Sequence, residues 1–326
     1  MNKLPGVALC AAIAVVAYWL GRALPIVGGP VFGVVLGMLV ALIRKPTLRL
    51  DAGIKFSSKQ VLQYSIVGLG TNLRLGEIVG SGLRSLPVML GTLVITLSAA
   101  YFIGKWLGIE RDLRRLLGIG TAICGGSAIA ALSTVIMAGE ADIAYAISTV
   151  FLFNIVAVLL FPALGHVLAL SQQGFGLWAG TAINDTSSVV AAAFVYGHTA
   201  GNEAVIVKLT RTTLIVPIVL YYAWKTIERA RSAETPVEWT SIMPWFIVWF
   251  VIAALLNTFG LIPAAWHPAL TAIALFLIVV ALTGVGLSAD FAKMREAGAK
   301  PLLLGLILWV LIAVSSLGIA NLAHIG

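Results

Sequence analysis

The chain has 326 residues, of which 60% are hydrophobic and only 10% charged, with a mean hydropathy of +1.04. A soluble domain of this size has too little interior to hide that much apolar surface, so the composition points to an all-α polytopic membrane protein. The net charge of +8 does not indicate a nucleic-acid partner, because no basic region with interleaved aromatics stands apart from the apolar stretches.

A membrane-spanning helix needs about 20 mostly apolar residues. About eleven such windows follow one another at residues 4–24, 25–43, 60–80, 86–106, 115–138, 141–168, 174–197, 203–227, 244–262, 267–289 and 301–322. They leave little chain for a soluble domain, and 1–326 reads as a single transmembrane transporter domain. Lys3 precedes the first window as it would in a signal peptide. The length of the run, Tyr18 and Trp19, and the lack of a small-x-small cleavage sequence favour a retained span. Between the second and third windows, RKPTLRLDAGIKFSSK reads either as an amphipathic helix on an anionic leaflet or as an ordinary basic loop.

Lysine and arginine favour cytoplasmic loops. With the N-terminus inside, those loops hold Lys3; Arg44, Lys45, Arg49, Lys55 and Lys59; Lys105, Arg111, Arg114 and Arg115; Lys225, Arg229 and Arg231; and Lys293, Arg295 and Lys300, which is 16 of the 21 basic residues. The opposite side receives Arg22, Arg74 and Arg84, while Lys208 and Arg211 fall inside the eighth window. The expected location is the bacterial cytoplasmic membrane, with the N-terminus inside and the C-terminus outside. Cys10 and Cys124 lie in apolar windows without metal-ligand spacing, and His166, His198, His267 and His324 form no cluster, so neither a metal nor another cofactor is expected.

Two stretches share nearly the same wording, GTAICGGSAIAA (Gly120 to Ala131) and GTAINDTSSVVAA (Gly180 to Ala192). Their offset of 60 joins the fifth and seventh windows, which run parallel in an eleven-span layout. The match is therefore either convergent local chemistry or a sign that the span count is off by one. A separate shift of 216 superposes Gly68, Gly70, Gly82 and Arg84 on Gly284, Gly286, Gly298 and Lys300, joining the third and tenth windows as an inverted repeat would. A third pairing, of the fifth window with the tenth in two five-helix units, stays open.

Polar residues persist inside spans mainly where they face protein, water, ions or a solute. In the fifth window, Gly120, Gly125 and Gly126 bracket Thr121, Cys124 and Ser127. An interrupted helix here exposes N–H groups as an anion-binding end, and close packing of small residues accounts for the same composition. The consecutive Asn184, Asp185, Thr186, Ser187 and Ser188 of the seventh window exceed what helix packing calls for. In the eighth window Lys208 and Arg211 share a helix face. Lys208 is either part of the pathway or an interfacial anchor, and Arg211 is expected to have a buried partner, with Asp185 the nearest candidate in sequence.

Three stretches carry a resemblance to the YeiH-like bacterial inner-membrane proteins described as sulfate exporters: ICGGSAI (Ile123 to Ile129) with AISTVFLFNIVAVLLFP (Ala146 to Pro162), WAGTAINDTSSVVAAA (Trp178 to Ala193) and VKLTRTTLIVPIVL (Val207 to Leu220). The resemblance implies two inverted repeats, with a panel and a core of crossed, broken helices. This chain departs from the family pattern at Asn184 and Asp185, where a His-Glu or His-Asp pair is usual, and at Ser187 and Ser188, near an Ala-Gln pair. The missing imidazole bears on proton coupling.

The sequence thus suggests a secondary transporter of a small anion, with sulfate or a sulfonate as the family-derived substrate class and H⁺ or Na⁺ as the coupling ion. Its candidate binding residues are Thr121, Cys124, Gly125, Gly126, Ser127, Asn184, Asp185, Thr186, Ser187, Ser188, Lys208 and Arg211. The alternatives are a cation/proton antiporter with Asp185 carrying the ion and, with less support, an intramembrane enzyme. Membrane lipid is the expected surrounding, and the sequence leaves open whether the chain pairs as a homodimer.

Overall fold

The computed structural model describes residues 3–24, 28–43, 47–215, 217–218, 221–222, 224, 245–288, 299–323 and 325. Arg44, Lys45, Lys225, Arg229, Arg231, Lys293, Arg295 and His324 lie outside the described residues. The helices are α1 (Leu4–Ala23), α2 (Gly28–Ile43), α3 (Leu48–Phe56), a π-helical turn (Ser57–Val61), α4 (Leu62–Gly70), α5 (Leu75–Trp106), α6 (Arg111–Ala122) and α7 (Gly126–Ile136). There follow α8 (Glu140–Val167), α9 (Gln172–Ala182), α10 (Thr186–Tyr196), α11 (His198–Thr213), α12 (Trp245–Thr258), α13 (His267–Leu287) and α14 (Ala299–Leu322). No strand occurs among the described residues. By length and composition, five helices can cross a membrane: Leu4–Ala23, Leu75–Trp106, Ala141–Val167, Ala264–Leu287 and Ala299–Leu322.

Of the basic segment before the third window, Leu48–Phe56 is a helix rather than a loop, with Arg49 and Lys55 exposed and Gly53 and Ile54 buried. Leu48 opens a rod that runs through α3, the π turn and α4, and its Ile54 is buried in the core. Glycine makes this packing close: a Cβ on Gly53 would lie 2.6 Å from the Cα of Gly6 in α1. The same device joins α2 to α13, where a Cβ on Gly286 would lie 3.1 Å from Gly37 Cα. Such contacts let backbones approach in a medium where apolar burial gives helices no advantage over lipid. These elements, together with α12, form a first layer around Cys10, Ile66, Phe250 and Ile278.

The second layer contains α5 to α11 and α14, and the directions in which its helices run decide the topology. A Cβ on Gly104 would meet Leu304, and one on Gly91 would meet Ile319, so α5 and α14 are antiparallel. Gly305 of α14 sits against Thr149 and Phe153 of α8, while Trp309 stacks near Phe153 and Phe161, so α8 runs parallel to α14. Consequently α8 starts on the side where α5 ends, and the α6–α7 segment between them turns back without crossing. A Cβ on Gly120 would lie 2.8 Å from the Ile129 side chain, which brings the two arms together.

The second interrupted element behaves in the same way from the opposite side. Gly176 faces Ala200 and Glu203, and Gly180 faces Ala204 and Val207, so α9 and α11 run parallel. The backbone N–H groups of Thr199 and Ala200 donate to Gln172 Oε1 at 3.1 and 3.3 Å, which places the start of α11 beside the start of α9. Phe175 and Tyr196 stack with centroids 3.9 Å apart across the hairpin. Among the described residues, the eleven windows thus resolve into nine rod-like elements and two re-entrant hairpins.

The matching GTAI stretches end the inward arms of two hairpins that enter from opposite sides, so they run antiparallel rather than parallel as the eleven-span layout had them. The 216-residue shift pairs elements that pack antiparallel: α4 with α13, where Gly68 meets Ala274, and α5 with α14.

Single cysteines at Trp106, Met137 and Val167, which are 83%, 74% and 81% exposed, test the hairpin directly because Cys10 and Cys124 are buried. An impermeant thiol reagent should reach positions 106 and 137 from one side of the membrane and 167 from the other. An eleven-crossing chain would instead place 106 with 167.

Candidate transport site at the hairpin tips

The inward arms end on exposed carbonyls and the outward arms begin on exposed N–H groups, as all α-helix termini do. At the first tip, Gly125 has φ +68° and a Cβ there would lie 3.7 Å from Asp185 Cβ, so the two tips meet. At the second, Asp185 caps α10: its carboxylate accepts from Ser187 N at 3.0 Å, Ser188 N at 3.3 Å and the Ser187 hydroxyl. Its negative charge lies at the positive end of the α10 dipole.

Lys208 lies behind both tips. Its Nζ donates to Ile123 O at 2.8 Å and Ile183 O at 2.9 Å, the equivalent last residues of the two GTAI stretches. Arg211 Nε donates to Ala122 O at 2.7 Å, and Nη1 and Nη2 are buried without a hydrogen-bond partner. Both side chains are 0% exposed. The interfacial-anchor reading of Lys208 is therefore replaced: its ammonium is spent on helix-end carbonyls rather than reaching the surface. Asp185 and Arg211 form no ion pair either: the carboxylate is satisfied by the first turn of α10, and the guanidinium reaches the end of α6 through Nε alone. Thr210, Thr212 and Thr213 return their hydroxyls to carbonyls of their own helix.

In front of the tips lies a cavity of about 260 Å³ between the two layers. Gly126, Ser127, Asp185, Thr186 and Ser187 line it from the hairpins, and Asn154 from α8. The first layer contributes Ser58, Lys59, Gln63 and Ser288, with Lys59 on the π turn. No side chain caps the start of α7. Of the sequence-derived candidates, Thr121, Cys124, Gly125, Asn184, Ser188, Lys208 and Arg211 are buried beside or behind this cavity rather than in its wall.

Five polar wall residues escaped the sequence reading: Ser58, Lys59, Gln63, Asn154 and Ser288. Asn154 is 2% exposed, and its Oδ1 accepts from Asn184 N at 3.2 Å and Asp185 N at 3.3 Å. An amide alone in the apolar run AISTVFLFNIVAVLLFP was the available signal. Lys59 and Gln63 gave none, because they looked like the end of a basic loop.

Fold and site together define a multi-pass α-helical membrane protein whose two re-entrant hairpins meet inside it. The family described as "Conserved hypothetical protein 698" matches residues 5–305. The chain is 40% identical over 344 aligned residues to a UPF0324 membrane protein of Fusobacterium nucleatum, covering 99% of both chains. It is 40% identical over 336 residues to one from Streptococcus mutans, covering 99% of this chain and 98% of that one. With one from Streptococcus pyogenes it shares 41% over 327 residues, covering 97% and 96%. The chain belongs to this YeiH-like family, the UPF0324 membrane proteins.

Replacing Asn154 by the similarly sized Leu removes the acceptor of the buried Asn184 N–H and of the half-buried Asp185 N–H. Asn154→Leu should therefore lower the melting temperature of the purified protein, equivalent to about 1–3 kcal/mol for the buried donor. An unchanged melting temperature would mean that the second tip is held in place by other contacts.

Proposed function

We propose that this protein is a secondary transporter of a small anion, of the sulfate, sulfonate or related organic-anion class, and not an enzyme. We place it in the bacterial cytoplasmic membrane with its N-terminus inside. The observation that carries the reading is the cavity between the layers, where the uncapped start of α7 and the hydroxyls of Ser127 and Thr186 share a wall with Lys59. Helix N–H groups, hydroxyls and an ammonium suit an oxyanion through charge-assisted hydrogen bonds. Lys208 and Arg211 add positive potential from behind the tips, and the charge of Asp185 is offset within the first turn of α10.

The site also fits alternating access. Its wall is divided between two layers, so displacement of the hairpin layer against the other would expose a bound solute to each side in turn. Asp185 is the carboxylate in this wall and is partly accessible, which supports a role in H⁺ or Na⁺ coupling. The same observation supports the second reading, an antiporter in which Asp185 carries the cation.

A bound ligand raises apparent stability by RT ln(1 + [L]/Kd). Sulfate or a sulfonate should raise the melting temperature, and Lys59→Gln should weaken that response about tenfold, a change of about 1.4 kcal/mol. Stabilisation by Na⁺ alone, with no response to any anion, would favour the antiporter. A Cβ at Gly126 meets nothing within 4 Å, so Gly126→Leu should fill the cavity and abolish uptake into proteoliposomes without lowering the melting temperature. Full uptake in that variant would contradict the proposed site. Asp185→Asn should retain anion exchange and lose its dependence on a proton or sodium gradient, and unchanged gradient dependence would exclude Asp185 as the coupler.

A further inference from the structure

A second polar cavity lies away from the hairpin tips, at the end of the molecule where α5 hands over to α6. Its volume is about 260 Å³, and its wall includes Tyr101 of α5, Arg111, Arg114 and Arg115 of α6, and Tyr221 and Tyr222. It shares no residue with the cavity assigned to transport. We propose that this pocket binds the phosphate group of an anionic phospholipid.

Glu110 and Asp112 accompany the three arginines at the start of this helix, and Asp112 accepts from Arg115 at 3.0 Å. The planar guanidinium forks in the cavity wall match the oxygens of a phosphate. The forks are held ready by ring stacking: Arg114 lies over Tyr101 at 5.2 Å and Arg115 over Tyr222 at 5.5 Å.

The surroundings select a lipid as the source of that phosphate. Phe102, Trp106 and Trp224 are 68%, 83% and 59% exposed on the segments that bear Tyr101 and Tyr221. Outward-facing aromatics of this kind mark the headgroup level of a bilayer. Leu90, Val94, Leu97 and Tyr101 follow one another at helical spacing along α5, with Leu90, Val94 and Tyr101 exposed. They give an acyl chain an apolar lane leading from the pocket into the hydrocarbon. A headgroup is thus caught between arginines while its chain lies on α5.

The test uses full-length protein, purified and delipidated in a neutral detergent. Phosphatidylglycerol should raise the melting temperature, whereas phosphatidylcholine and inorganic phosphate at equal phosphate concentration should not. The double variant Arg114→Gln, Arg115→Gln should raise the half-saturating phosphatidylglycerol concentration at least tenfold. Arg114 packs against Gly104, so Arg111→Gln, whose side chain is exposed, decides the matter should the double variant fail to fold. It should shift half-saturation in the same direction by a smaller factor. An unaltered lipid response in the folded variants overturns the site. Equal stabilisation by inorganic phosphate overturns the lipid in favour of a soluble phosphorylated ligand.

Discussion

Everything at the centre of this molecule depends on one buried ammonium. Two helix arms enter from opposite faces and end with their carbonyls aimed at each other, an arrangement that repels itself. Lys208 lies between them and donates to both Ile123 O and Ile183 O. A lysine in the membrane interior costs about 2.5–3.5 kcal/mol on insertion scales. Two hydrogen bonds from a charged donor contribute about 1.5–3 kcal/mol each, which offsets that cost and fixes the tips as one unit. Arg211 extends the arrangement by serving Ala122 O, one residue back on the first arm.

The same arrangement sorts polarity across the protein. Carbonyl ends face Lys208 and Arg211, while the N–H ends of α7 and α10 face the cavity between the layers. Asp185 belongs to this second side, because its carboxylate satisfies the first turn of α10 instead of pairing with a cation. Lys208 and the Nε of Arg211 are therefore consumed as structure, and what they leave in front of the tips is a set of helix starts and hydroxyls beside Lys59.

Much of this was legible in the sequence, and the remainder was hidden for physical reasons. Composition and the spacing of apolar windows gave the class and most helix positions, but the window at 60–80 runs across the turn at 71–74, and α5 starts at Leu75 rather than near residue 86. GTAICGGS and GTAINDTSS marked both breaks, because glycines and polar residues disfavour a continuous helix in lipid. Direction was not legible: an apolar run of two short arms reads the same whether it crosses or turns back. Charge bias could not reveal the error either. Hairpins entering from opposite sides change the side only of the connections at 137–140 and 168–171, which contain no lysine or arginine. The role of Lys208 was equally hidden, since its partners are carbonyls 85 and 25 residues away. Lys59 belongs to a rod that starts at Leu48, earlier than hydropathy alone indicates, because its cationic turns pack against α1 through Gly53.

The central claim is that Lys208 couples the two hairpins, and amide hydrogen exchange measures it most directly. In Lys208→Met, which keeps the length of the side chain but removes its donors, peptides covering 120–128 and 181–188 should both lose protection relative to the native protein. The arms of α5 and α14 should change far less. Loss of protection at one tip alone, or at neither, would contradict the account.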